Sequence, residues 1–222
     1  MASLVTYKYI KQNPDIMEYI RRADKTLEAM GYTEHSFPHV ERVAATSAKI
    51  LETLGYDERT IELAKIASIM HDIGNIINRI DHAQSGAVMA FRLLDNMSMP
   101  ADEICSVIAA IGNHDEGTAQ PLDAISAAMI IADKADVRRS RVRNTDLTTF
   151  DIHDRVNYAV EMSGVSFSED KKILILELQI DTKISSVMEY FEIFMNRMIL
   201  CKRASEFLGL KFELIINGSK IL

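Results

Sequence analysis

Along the first two thirds of the chain, apolar residues recur every three or four positions, the period of a helix with one face turned inward. After Pro38, the residues Val40, Val43, Ala44, Ser47, Ile50, Leu51 and Leu54 hold that spacing until Gly55 offers a stop. The same pattern predicts further helices over roughly 58–72, 82–96, 101–114, 121–140 and 151–163. All four prolines, Pro14, Pro38, Pro100 and Pro121, stand just ahead of such segments, where first-turn amides lack partners anyway and a proline costs nothing. From about residue 165 the period changes. KKILILELQID and KFELIING read as strands, and between them Ile184, Val187, Met188, Phe191, Phe194, Met195 and Met198 mark a long helix. The expectation is a mainly α chain: a helical segment over 1–30, a helical bundle over 31–145, and over 146–222 one more helix followed by a small strand-helix-strand (α+β) unit. The Met and Phe stripe of that unit suits a core or a dimer contact better than a cofactor box, so a homodimer is left open.

A polar residue that falls on the apolar stripe of its own helix points inward and needs a partner there. On 101–114, Ile104, Val107, Ile108 and Ile111 lead to His114, which is therefore expected to face the core. On 121–140, Ile125, Met129 and Ala132 define the face, and Asp133 adjoins it. In IMHDIGN, His71 and Asp72 sit where a helix runs into Gly74; neighbouring helical residues diverge by about 100°, so the pair can reach one ion only at an end like this. His39 lies in the first turn after Pro38, and His82 opens the helix of DHAQSGA. The dipeptide His-Asp recurs in GNHDEG and in DIHDRV. His153, in the latter, falls off the stripe of Ile152, Val156, Ala159 and Val160 and is expected to be a solvated helix start. His35, four residues before His39, is expected to be exposed. Imidazoles and carboxylates at 39, 71, 72, 82, 114 and 133 form a mixed nitrogen and oxygen set of the kind that binds divalent transition metals. Periodicity alone leaves a metal site and a set of hydrogen-bonded core residues about equally good.

With 222 residues the chain can bury a substantial core. A formal net charge of −7 opposes non-specific attraction to nucleic acid or to anionic membranes. Cys105 and Cys201 show no CxxC spacing and no disulfide framework, which suits a reducing compartment and small core residues. MASLVTYKYIKQN has no apolar h-region, and no apolar run approaches the roughly 20 residues of a membrane span, so a cytoplasmic protein is expected.

HVERVAATSAKIL around His39, LAKIASIMHDIGN around His71 and Asp72, and AMIIADKAD around Asp133 together resemble the HD superfamily of metal-dependent phosphohydrolases, whose pattern is H…HD…D on a helical bundle. The resemblance covers about residues 30–145. DHAQSGAVMA and VIAAIGNHDEG add His82 and His114, as in the H…HD…H…H…D subset that includes bacterial diadenosine tetraphosphate hydrolases and HD-GYP-type phosphodiesterases. The first of these is the closer. HD-GYP-type enzymes carry HDIGK, and here Asn75 stands in place of the lysine. The resemblance implies metal ligation by His39, His71, Asp72 and Asp133, with His82 and His114 completing a second site and Asp72 bridging. It implies two divalent ions, with iron or manganese ahead of zinc because no thiolate is available.

The implied activity is hydrolysis of a phosphate ester or anhydride of a nucleotide or related small molecule by a metal-activated hydroxide, with His71 and Asp72 at the centre. KADVRRSRVRN supplies Lys134, Arg138, Arg139, Arg141 and Arg143 right after Asp133, either as a solvated helix end or as a phosphate clamp. On a continuing helix, Arg141, eight residues on, would share the side of Asp133, while Arg139 would point away. Lys134, Arg138, Arg141 and Asn75 are the expected substrate-binding residues. Two other readings compete with hydrolysis: a catalytically silent HD-domain module that senses a nucleotide, and a metal-free helical interaction protein.

Overall fold

The computed structural model describes residues 4–222. In chain order its elements are α1 (Tyr7–Gln12), α2 (Pro14–Ala29), α3 (Phe37–Leu54), α4 (Glu58–Met70), α5 (His82–Asn96), α6 (Ala101–Gly112), α7 (Ala124–Lys134), α8 (Ile152–Ala159), β1 (Val160–Phe167), β2 (Ile173–Ile180), α9 (Val187–Phe207), β3 (Lys211–Ile216) and β4 (Ser219–Lys220). Two helices organise the bundle because they have no solvent face. In α4 every residue from Leu63 to Met70 except Lys65 is buried, and in α7 every residue from Ile125 to Ala132 is. A helix apolar all round has to be surrounded. Helices α3 and α6 pack against both, and α5 lies alongside α6.

Helix ends are set by local chemistry. Asn13 and Asp57 accept first-turn amides of α2 and α4, Asp123 and Ser126 form a capping box on α7, and Gly55 takes a left-handed φ of 79° that ends α3. After Met70 the chain passes through His71 and Asp72 into a 3-10 turn over Ile73–Ile76. Gly74 of that turn lies against the start of α5. A Cβ there would sit 2.0 Å from the His82 carbonyl oxygen and 2.4 Å from the Gly86 amide nitrogen, both backbone atoms that cannot swing aside. Gly74→Ala is expected to destabilise the fold by roughly 1–3 kcal/mol, the usual range for overpacking; an unchanged urea midpoint would show that the two segments separate freely.

The C-terminal sheet has the order β1-β2-β3-β4, with β2 and β3 parallel and the outer pairs antiparallel. Helix α9 is the crossover that a parallel pair requires. Leu174, Leu176, Leu178 and Ile180 alternate inward along β2, and the last three join Tyr190, Phe194, Met198 and Cys201 of α9 in a second apolar core beside the main one. Helix α9 also packs on α7, which brings the C-terminal unit to the wall of the bundle.

The strand-helix-strand unit is present, with two additions and two changed boundaries. The helix expected over 151–163 stops at Ala159, and Val160 begins β1. Val160 continues the stripe of Val156 at helical spacing, but from there Ser163, Gly164 and Val165 are poor helix formers, and β2 offers an antiparallel partner. The helix expected over 121–140 ends at Lys134; the basic run turns back through a 3-10 turn at Arg139–Arg141. Cys201 is buried as expected, whereas Cys105 is exposed on α6. Among the described residues no helix is long and apolar enough to cross a membrane.

Candidate metal centre

Four imidazoles arrive from four directions with the same orientation. His39, on the first turn of α3, donates its Nδ1 proton to Asp136 Oδ2 at 2.8 Å. His71, at the end of α4, donates to the Ser68 carbonyl at 2.7 Å. His82, at the start of α5, donates to Arg79 O at 2.9 Å, and His114, just beyond α6, to Ile111 O at 2.6 Å. Those oxygens only accept, so each ring carries its proton on Nδ1 and a lone pair on Nε2. All four rings are buried.

The four Nε2 atoms converge on two carboxylates. Asp72 Oδ2 lies 3.2 Å from His71 Nε2 and 3.7 Å from His39 Nε2, while Asp72 Oδ1 lies 3.5 Å from His82 Nε2 and 3.8 Å from His114 Nε2. Asp133 Oδ1 stands 3.4 Å from His39 Nε2 and 3.7 Å from His71 Nε2, and its Oδ2 accepts from Lys134 Nζ at 2.7 Å. His39, His71 and Asp72 therefore form one donor group, and Asp72, His82 and His114 another; His71, His114 and Asp133 form a third that overlaps both. Asp72 belongs to the first two, one oxygen to each. It can do so because it leaves the helical path of α4, with φ −98° and ψ 1°, in the sparsely populated region where active-site residues are often found.

These atoms fit a cation better than they fit one another. His39 Nε2, His71 Nε2 and Asp72 Oδ2 are buried with no hydrogen-bond partner, and each such atom costs roughly 1–3 kcal/mol if it stays unpaired. His82 Nε2 and His114 Nε2 face each other at 3.1 Å, lone pair to lone pair. Imidazole nitrogen and carboxylate oxygen without thiolate is a donor set for divalent transition metals.

The protonation states agree. Burial lowers the pKa of His82 and lowers that of His114 strongly, keeping both rings neutral as a ligand must be. Asp72 and Asp133 are buried, which alone would raise their pKa, yet both are held well below the usual carboxylate range: Asp72 by His71, Asp133 by Lys134 and His39. His71 moves the other way. Burial opposes its charge, but the negative charges of Asp72 and Asp133 outweigh burial and raise its pKa. A proton on His71 and a metal ion answer the same negative field.

Asp136 was not picked out by periodicity, although it sits in the same AMIIADKAD segment as Asp133. It is buried, orients His39, and is itself held by Arg42 Nε at 3.1 Å and Arg138 Nε at 2.9 Å. A carboxylate behind a ligand histidine fixes the tautomer and raises basicity. Asp136→Asn is expected to weaken metal binding by about 10–100-fold while leaving the helices in place. Titration of metal-free protein with Mn²⁺ checks this; equal affinity would make Asp136 a purely structural partner of its arginines.

Above the carboxylates opens a cavity of about 440 Å³, lined by Asp72, His82, His114 and Asp133 together with Lys134, Arg141, Tyr32, Arg79, Asp151, Asp154, Asn157, Phe194 and Arg197. Of the expected substrate-binding residues, Lys134 and Arg141 line it and two do not. Arg138 is turned to Asp136, Glu34 and Ser140. Asn75, one 3-10 turn after Asp72, gives its Nδ2 protons to the Asp72 carbonyl and Oδ1, both at 2.9 Å, and so positions a carboxylate rather than substrate. Arg141 reaches the cavity through the turn after α7 and not by helical phase; its Nε and Nη1 are spent on the carbonyls of Glu34 and Asp136. Arg139 lies over the Tyr158 ring, away from the cavity. His35, expected to be exposed, is partly buried and lines the cavity, and His153, exposed as expected, borders it.

Arg79 and Arg197 went unnoticed in the sequence, and Phe194 was read as part of the core or dimer stripe of the C-terminal helix and not as a cavity residue. Arg197 lies over the Phe194 ring at 4.2 Å and pairs through Nε with Glu116, two residues past His114. Phe194 was visible as part of the α9 stripe, but which face of that stripe meets the bundle depends on tertiary packing.

Residues 37–155 match the family model described as HD domain. A curated relative, uncharacterized protein MJ1020 of Methanocaldococcus jannaschii, is 22% identical over 210 residues, covering 84% of this chain and 79% of its own. A solved structure of a predicted HD superfamily hydrolase from an uncultured Thermotogales bacterium is 28% identical and covers 56% of this chain and 67% of its own, with a TM-score of 0.44.

Proposed function

The chain belongs to the HD domain family, and on that footing we propose that it is a divalent-metal-dependent phosphohydrolase that cleaves a phosphate ester or anhydride of a nucleotide or related small molecule. The observation that carries this is the convergence of four Nε2 lone pairs on two ionised carboxylates, Asp72 and Asp133, which with His82 and His114 line the floor of a cavity that also presents Lys134, Arg141 and Arg197. His39, His71, Asp72 and Asp133 would hold one ion, and Asp72, His82 and His114 a second. Divalent ions in these places supply Lewis acidity, which acidifies water and offsets charge on a phosphoryl oxygen.

The protein's own groups do the rest. Asp72, ionised and common to both ligand groups, orients the attacking water; its low pKa suits it to accept hydrogen bonds and not to donate a proton. Lys134 and Arg141, buried at the floor, and Arg197, held by Glu116, offer cationic hydrogen-bond donors to the non-bridging oxygens. Tyr32 and Phe194 give the remainder of the substrate apolar faces.

The test is phosphate release from a nucleotide panel by metal-stripped protein supplied separately with Mn²⁺, Fe²⁺, Co²⁺ and Mg²⁺. Release with at least one metal and none without is expected. Tight nucleotide binding with no release under any metal would leave a silent sensing module and reject hydrolysis.

A further inference from the structure

The cavity is polarised along its depth. At the bottom, the side chains of Asp72 and His114 are 6% and 2% exposed, and Lys134 and Arg141 are buried beside them. At the mouth, the side chains of Asp151 and His153 are 69% and 65% exposed, and they belong to the start of α8 together with Asp154. The floor carries Lys134, Arg141 and the metal-ligand set, while Arg79 and Arg197, 27% and 25% exposed, also line the cavity and each faces a carboxylate of its own, Asp115 and Glu116. The mouth carries two carboxylates. Asp151 caps α8 by accepting from the Asp154 amide at 2.8 Å, and Asp154 accepts from Asn144 Nδ2 at 3.2 Å. Neither pairs with a lysine or arginine among the described residues, and His153 Nδ1 lies 4.0 Å from Asp151 Oδ2. Two carboxylates exceed the roughly half positive charge of a helix start, so the edge of the cavity formed by α8 is net negative.

That rim sits in the same cavity as Asp72, a 95% buried carboxylate whose Oδ2 has no partner. A substrate with its phosphoryl group on the floor therefore extends its other end past Asp151 and Asp154. These two carboxylates accept hydrogen bonds from hydroxyl or amine donors and repel a second anion. The volume, about 440 Å³, is near the lower end of the roughly 300–1,000 Å³ of small-molecule sites.

We infer that the site selects phosphate monoesters with a single anionic group, whose remainder is uncharged and carries hydroxyl or amine donors for Asp151 and Asp154, and that it discriminates against molecules bearing a second phosphate on that remainder. This rests on the hydrolase reading and deepens it. It also separates the chain from an enzyme for dinucleoside polyphosphates, whose substrates are anionic well away from the scissile bond.

The test compares equilibrium binding of adenosine 5′-monophosphate and adenosine 3′,5′-bisphosphate to the Mn²⁺-loaded protein, with phosphate release measured in parallel. Wild type is expected to bind the monophosphate about tenfold more tightly, a gap that shrinks as salt rises. The double variant Asp151→Asn, Asp154→Asn keeps a capping side chain at the start of α8, and should bring the two ligands within about twofold of each other with metal content unchanged. A bisphosphate that binds wild type as well as the monophosphate, a gap that survives the double substitution, or binding of neither ligand would overturn the inference. Discrimination in binding without phosphate release would reject hydrolysis and leave the selectivity standing.

Discussion

Asp72→Ala is expected to abolish phosphate release and to strip the centre of metal while the helical content stays that of wild type. Asp72 is the one side chain whose two oxygens face all four imidazoles, at 3.2–3.8 Å. Its removal takes a ligand from each half of the centre and leaves Asp133, beside His39 and His71 at 3.4 and 3.7 Å, as the one aspartate of the six-residue set. Losing the transition-state stabilisation of a bound metal is worth several kcal/mol, or roughly three orders of magnitude in rate. The fold has little stake in this carboxylate: it ends a helix and accepts one hydrogen bond from Asn75, which keeps a second to the Asp72 carbonyl. Metal analysis, far-ultraviolet circular dichroism and phosphate release on one preparation check all three parts. Retained turnover in the mutant would sink the assignment of the centre.

His114→Ala is expected to lower the bound metal from two ions to one and to reduce turnover far more than substrate binding. His114 belongs to the ligand group made with Asp72 and His82, and has no place in the one made by His39, His71 and Asp72. Its Nδ1 is fixed on the Ile111 carbonyl, and its Nε2 stands 3.1 Å from His82 Nε2, a contact between lone pairs of which only that of His82 has a donor nearby, Arg79 Nη1 at 3.3 Å. Truncation removes one nitrogen from the second group and leaves His39, His71, Asp72 and Asp133 intact. Binding of a phosphate substrate by Lys134, Arg141 and Arg197 is untouched, so kcat should fall by at least about tenfold with KM within a few-fold. A mutant that retains two ions at wild-type affinity would show that His114 is a core histidine and that the third group, with Asp133, does not form either.

How much of this was legible depended on whether the signal was local. The helices over 37–54, 58–70 and 82–96 are written in apolar spacing and in caps, and the inward position of His114 follows from the isoleucines before it. The end of α4 as a place where His71 and Asp72 both point inward was also legible, because Gly74 marks it. Periodicity misled at Val160, where a residue in phase with a helix begins a strand that only β2 specifies. It misled again at Arg141, which reaches the cavity by a turn that the basic run does not announce. Asp136 and Asn75 hold His39 and Asp72 through contacts across 97 and three residues, and nothing in their own neighbourhoods distinguishes a positioning group from a substrate contact. Phe194 and Arg197 come from outside the segment that matches the family, so their presence in the cavity is a fact of docking α9 against α7.

On the proposed reading the four histidines and two aspartates would hold two ions, with Asp72 contributing to both ligand groups, and the direct measurement is the metal stoichiometry of the wild-type chain. Protein stripped with a chelator, reloaded with Mn²⁺ and freed of excess should contain two ions per chain by elemental analysis, with phosphate release rising as the second ion binds. Full activity at a single ion per chain would contradict the shared role of Asp72, and no bound metal at all would contradict the centre itself.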